Sequence, residues 1–95
     1  MPVGIFTFTL RLIGCSSLKE KRGRLKPILH SLQRHYNLST AETGHQDAWQ
    51  QSEITCALAC SDARVIERVY QQVKNELALN WPEEPVFSEQ LEIVS

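Results

Sequence analysis

The chain predicts an α+β fold: a four-stranded antiparallel sheet with two helices on one face, in the order β-α-β-β-α-β. Three observations carry this. Residues 3–12 alternate apolar and polar side chains, as a half-buried strand does. Two later stretches, opening near residues 18 and 62, switch to helical spacing. Three further strand-like runs lie between and after them.

In the first strand, Phe6, Phe8, Leu10 and Leu12 fall on one face and Thr7, Thr9 and Arg11 on the other. The same alternation sets this N-terminus apart from a signal peptide, which needs a basic start and a continuous apolar run. Gly14-Cys15-Ser16 breaks the pattern. Ser17 then stands three residues before Glu20, the spacing of a capping box. Leu18, Leu25, Ile28, Leu29, Leu32 and Tyr36 follow at helical spacing, predicting a helix over about 18–36. Pro27 conflicts with it, because an interior proline removes a hydrogen bond to residue 23 and crowds that carbonyl. Residue 23 is glycine, which leaves room to bend, so a kinked helix is expected in preference to one beginning at Pro27.

Leu38–Thr43 and Gln51–Cys60 read as the next two strands, joined by a turn at Gly44. A second helix is expected after Ser61 or Asp62, with Val65, Ile66, Val69, Val73 and Leu77 on its apolar stripe, ending at Trp81-Pro82. The tail "VFSEQLEIV" gives a last strand with Phe87, Leu91 and Ile93 on one face. This order is the ferredoxin-like, split β-α-β arrangement, with one sheet face under the helices and the other open.

Ninety-five residues suit a single domain spanning 1–95. Such a domain should bury roughly 60–65% of the surface its unfolded chain exposes. With 42% hydrophobic and 22% charged residues, the composition is that of a globular domain. The longest apolar run falls far short of the ~18 residues a membrane span needs, so no membrane partner is expected. Cys15, Cys56 and Cys60 have no C-x-x-C spacing. Cys56 and Cys60 would lie roughly 13 Å apart on one strand, too far for a disulfide. Buried free thiols point to the cytoplasm.

Charge is divided unevenly. Residues 1–50 carry seven basic and three acidic side chains, net +4; residues 51–95 carry three basic and eight acidic, net −5. The basic excess concentrates in "SLKEKRGRLK", where Lys19, Lys21, Arg22, Arg24 and Lys26 face a single acid, Glu20. These five are the candidate phosphate contacts, because a cationic helix face without interleaved acids can neutralise successive phosphates. The competing reading is a solvated helix face. Against it stand the missing counter-charges and the unfavourable placement of cations near a helix N-terminus.

The segment "STAETGHQDAWQ" (39–50) gathers Glu42, His45, Asp47 and Trp49. A zinc site needs three or four convergent ligands. Here Glu42 and His45 are roughly 10 Å apart in extended chain, and only His45 and Asp47 point the same way. No metal or other cofactor is therefore expected. A His–carboxylate pair also lacks a neighbouring nucleophile or phosphate cradle, so no catalytic residue is assigned. Extending the alternation back from Ile54, Cys56 and Leu58 puts His45, Asp47 and Trp49 on the open face, with Asp47 fixing the His45 ring or capping the turn. His45, Gln46, Asp47 and Trp49 become a candidate interaction surface. The RNA-recognition pattern of exposed sheet aromatics is missing, since Phe6 and Phe8 lie on the helix side.

"SLKEKR" after a "VG…L…L.G" first strand, followed by "AE.GHQD.WQ", resembles the YlxP-like family of small bacterial proteins, a domain of unknown function. Ser17 to Arg22 match the first motif; Glu42, Gly44, His45, Gln46, Asp47 and Trp49 match the second. The resemblance spans essentially the whole chain. It implies a ferredoxin-like fold, a bacterial cytoplasmic setting, and genes near those for translation initiation and ribosome maturation factors, with no catalytic activity to carry over. Pro27 and the cysteines look peculiar to this member.

Taken together, the expectation is a non-enzymatic, RNA- or ribosome-associated protein that uses its basic first helix. The alternative is a protein-interaction module or homodimer using the open sheet face and Trp49. A small hydrolase using His45 and Asp47 ranks third.

Overall fold

The computed structural model describes residues 1–95. Its elements are β1 (Val3–Arg11), α1 (Leu18–Tyr36), β2 (Ser39–Gly44), β3 (Gln51–Ala59), α2 (Ala63–Asn80) and β4 (Val86–Val94). The strands form one sheet in the order β2-β3-β1-β4, with every neighbouring pair antiparallel. This is the ferredoxin-like arrangement that the periodicities predict.

β1 lies at the centre because it is the strand with the most complete alternation. Phe6, Phe8 and Leu10 are fully buried, as are Ile54 and Cys56 on β3. Leu25, Ile28 and Leu32 of α1 and Ile66, Tyr70, Val73 and Leu77 of α2 close over them. Each such side chain contributes roughly 1.5–3 kcal/mol by leaving water. The Tyr70 ring stacks on Phe8 at 5.8 Å and tilts against Phe6 at 5.2 Å. Gly4 has a different task. A Cβ there would sit 2.4 Å from Ile66 Cγ2, so only glycine lets α2 approach β1 this closely.

Both helices begin on side-chain caps. The Ser17 hydroxyl accepts the Glu20 amide at 3.0 Å, while the Glu20 carboxylate reaches one residue further out, to Ser16. Asp62 accepts the Arg64 amide at 2.9 Å at the start of α2. α1 runs unbroken through Pro27 and ends at Asn37 in the left-handed region (φ 55°), which asparagine tolerates well. Pro27 and Gly23 are both exposed, so water can serve the carbonyl that proline leaves without a donor.

β4 corrects one sequence reading. Thr9 pairs with Ser88 but Leu10 pairs with Val86, so Phe87 is an extra residue in a bulge. The insertion turns Phe87 away from Leu91 and Ile93, which pack on the core. Its ring instead lies under the Arg11 guanidinium, 5.5 Å away, and stays 51% exposed. All three cysteines are free, with Cys15 and Cys56 buried. Burial pushes the Cys56 thiol up to about 12, out of reactive range. No helix is long and apolar enough to cross a membrane.

Candidate nucleic-acid interface

The five basic residues of the first helix part company in the structure. Lys21 is 2% exposed. Its ammonium reaches Glu42 Oε2 at 2.8 Å and donates to the carbonyls of His45 (2.6 Å) and Ala48 (2.7 Å). An ammonium has three protons, and here each has an acceptor. Lys21 is thus a tie between α1 and the β2–β3 turn, with nothing left for phosphate.

Arg24 is also engaged within the chain. Its Nε donates to buried Glu84 at 2.8 Å, while Nη1 and Nη2 donate to the carbonyls of Ile13 (2.7 Å) and Glu83 (3.0 Å). The planar guanidinium fork suits this pinning of the β1–α1 loop to the loop before β4.

Lys19, Arg22 and Lys26 remain exposed and make no ion pair. At 3.6 residues per turn they share one arc of α1, about 120° wide, with His30 and Arg34, which are likewise exposed. The stripe from Lys19 to Arg34 is roughly 22 Å long. The sequence reading missed His30 and Arg34 as members, although Arg22, Lys26 and His30 recur at i, i+4 and i+8. Beneath the stripe, α1 and the edge strand β2 enclose a groove of about 310 Å³.

The turn around His45 is built by Lys21 rather than by its own acid. His45 sits in the left-handed region (φ 57°), and its carbonyl accepts the Ala48 amide at 3.0 Å as well as the lysine. No hydrogen bond joins the His45 ring to Asp47, and the Asp47 carboxylate caps no amide. The turn is held instead by Lys21, 26 positions before Asp47, and through its carbonyls rather than its amides. His45, Gln46, Asp47 and Trp49 are all exposed. Trp49, 52% exposed, borders a shallow depression with Asp47, Ala48, Gln50 and Gln51.

A second polar cluster lies between the helices and was not singled out in sequence. Glu76 of α2 accepts from Ser31 (2.8 Å) and Tyr36 (3.0 Å) and meets His35 Nδ1 at 3.1 Å. Burial raises the Glu76 carboxyl, but donations from Ser31, His35 and Tyr36 outweigh it and hold it below its ordinary range. Ser31 and Glu76 approach the same nitrogen of His35, whereas a nucleophile relay needs opposite ring nitrogens. The cluster joins helices and has no catalytic geometry. Nowhere do three or more His, Cys, Asp or Glu side chains gather in a form that could hold a metal ion.

Comparison with other proteins agrees with this architecture. A family model described as "Protein of unknown function (DUF503)" matches residues 3–89, and the chain belongs to that family. The chain is 42% identical over 57 residues to the uncharacterized protein YlxP of Bacillus subtilis (strain 168), a match covering 60% of this chain and 62% of YlxP. Among solved structures, a protein named YJCS aligns with a TM-score of 0.58 at 10% identity, covering 98% of this chain and 99% of its own. A designed protein with a ferredoxin fold, LFR1 1, aligns at 0.56 and 9% identity, covering 97% and 85%. SnoaB, a cofactor-independent oxygenase from Streptomyces nogalater, aligns at 0.52 and 8% identity, covering 99% and 91%. A designed protein and an oxygenase on one scaffold show that the likeness is of fold alone.

Proposed function

We propose that the protein is a non-enzymatic RNA-binding protein of the bacterial cytoplasm, associating with a ribosomal particle or its RNA. The observation that carries this is the unpaired cationic stripe of α1, in which Lys19, Arg22, Lys26 and Arg34 have no acidic partner on the chain. A helix face serving only solvation gains from interleaved acids at i+4. This one has none, and its first member, Lys19, lies in the first turn, where the helix dipole disfavours a cation.

Three or four phosphate contacts predict a slope of log K against log salt between roughly −2 and −3. Binding should then fall about 15- to 60-fold between 50 and 200 mM salt. The test is co-sedimentation with ribosomal particles at low salt, using the triple variant Lys19→Glu, Arg22→Glu, Lys26→Glu. Lys21 and Arg24 are unsuitable targets because their loss disturbs the fold. Loss of co-sedimentation in a variant that melts no lower than the wild type supports the reading, and undiminished co-sedimentation refutes it.

A second reading rests on a separate observation. Trp49 and Phe87 each leave about half of a large aromatic side chain in water (52% and 51% exposed), Phe87 even with the Arg11 guanidinium over its ring. A homodimer or protein partner seated there predicts that Trp49→Ala lowers the particle mass in light scattering, or loses a pulled-down partner, without unfolding. An unchanged mass and partner set removes that reading.

A further inference from the structure

The groove between α1 and β2 differs in chemistry from the stripe above it. Leu25 is buried and Leu29 half-buried, so they form an apolar floor. Arg22, Lys26 and His30 are exposed and form a cationic rim. The opposite wall is Glu42 of β2, the one acid among the groove's lining residues.

Two acceptor atoms there are free. Glu42 commits Oε2 to Lys21 and to the Ser52 hydroxyl, both at 2.8 Å, and its Oε1 has no partner. Its side chain keeps 23% of its surface open. Gln33, which also lines the groove, donates Nε2 to Thr40 Oγ1 at 2.9 Å, leaving its own carbonyl oxygen unpaired. An apolar shelf, a cationic rim and two unpaired acceptors together match a flat ring bearing N–H donors next to a phosphate. An acidic peptide would satisfy the rim but would set its carboxylates against Glu42.

We infer that the groove is a base-reading subsite for one unpaired nucleotide carrying an exocyclic amine (adenine, cytosine or guanine). The base lies on Leu25 and Leu29, its amine donates to Glu42 Oε1 and Gln33 Oε1, and its phosphate meets Arg22 and Lys26. This rests on the RNA-binding reading above and adds to it a preference for single strands, whose bases are free to enter a recess.

The test is fluorescence anisotropy with labelled RNA nonamers at low salt. The probes are all-uridine, the same strand with one central cytidine, adenosine or guanosine, and a blunt duplex of equal length. The amine-bearing strands should bind about tenfold tighter than all-uridine, the worth of a hydrogen bond to a charged acceptor. Replacing the central cytidine by N4,N4-dimethylcytidine should abolish the gain with no change to the protein. Glu42→Gln should lose the preference and retain all-uridine binding. Because that variant leaves Lys21 without its anion, the exposed Gln33→Ala supplies a second arm, with the preference reduced. Equal binding of all single strands overturns the subsite and leaves the RNA reading standing. Duplex binding as tight as single-strand binding overturns it as well. Failure of every RNA, with a poly-glutamate peptide binding instead, overturns both.

Discussion

Lys21 offers the sharpest test of the structure, because its neighbours in sequence look alike and its environment does not. Breaking a buried ion pair from one side costs about 3–5 kcal/mol, since the abandoned partner keeps its desolvation penalty. Glu42 remains 23% open to solvent and keeps the Ser52 hydroxyl, so its stranded charge is partly relieved. The carbonyls of His45 and Ala48 lie in an exposed turn and can be taken over by water. Lys21→Met, which keeps the apolar stem, should therefore cost about 2–3 kcal/mol. That is a large share of the ~5–14 kcal/mol a domain of this size possesses, and it lowers the melting temperature by roughly 10–20 °C. Lys26→Met on the exposed arc should change stability by no more than ~0.5 kcal/mol. The assay is urea unfolding across a double-mutant cycle of Lys21→Met, Glu42→Leu and the pair. The double variant should recover much of the loss, giving a coupling of about 2 kcal/mol, because two apolar side chains leave no orphaned charge. Additive effects, or a Lys21→Met no worse than Lys26→Met, would show that the tie between α1 and the turn is not what holds them.

Two further outcomes follow from packing and linkage. The folded Glu76 carboxyl is held below its ordinary value of 4.5, so it releases its proton more readily folded than unfolded. Its contribution is complete above that value and fades as the pH falls below it. Glu76→Gln should cost more stability at pH 7 than at a pH well below 4.5, as read from urea midpoints; an equal cost at both would refute the linkage. Gly4→Ala should cost about 1–3 kcal/mol by overpacking, because its Cβ would meet Ile66 Cγ2 at 2.4 Å. Ile66→Val in the same chain should return part of that in thermal melts, and no return would place the strain elsewhere.

The fold was legible because its information is periodic. Alternation in Val3–Arg11 and helical spacing in α1 and α2 survive without any knowledge of contacts. Phe87 was not legible, because a bulge depends on the register of β4 against β1, and the inserted residue puts Phe87 out of step with Leu91 and Ile93, whose assignment holds. The buried state of Lys21 lay within reach. Lys21, Leu25, Ile28 and Leu32 follow one another at spacings of four, three and four, the core-facing rhythm, and all four are buried. Grouping Lys21 by charge rather than by angle hid it. Its partners Glu42, His45 and Ala48 lie more than twenty residues away, and no local pattern discloses them. Arg24 was hidden in the same way by Glu84, sixty residues on.

The geometry of Lys21 also changes what the two family-bearing segments mean. "SLKEKR" and "AETGHQDAW" look like two surface motifs, one basic and one reactive, yet a single buried amine ties one to the other. Within each segment the residues that hold the fold are thereby distinguished from those that do not. Ser17, Glu20 and Lys21 cap the helix and hold the turn, and Glu42 with the carbonyls of His45 and Ala48 completes that hold. Lys19 and Arg22, beside them in sequence, point outward and contribute no internal pairing. Cations gathered without counter-ions near a helix N-terminus repel one another and oppose the dipole, so folding alone gives no reason for them. Under the proposed RNA-binding reading, contact with phosphate is what would offset that cost. The charge that remains after the fold has taken its share is the charge available to an anion.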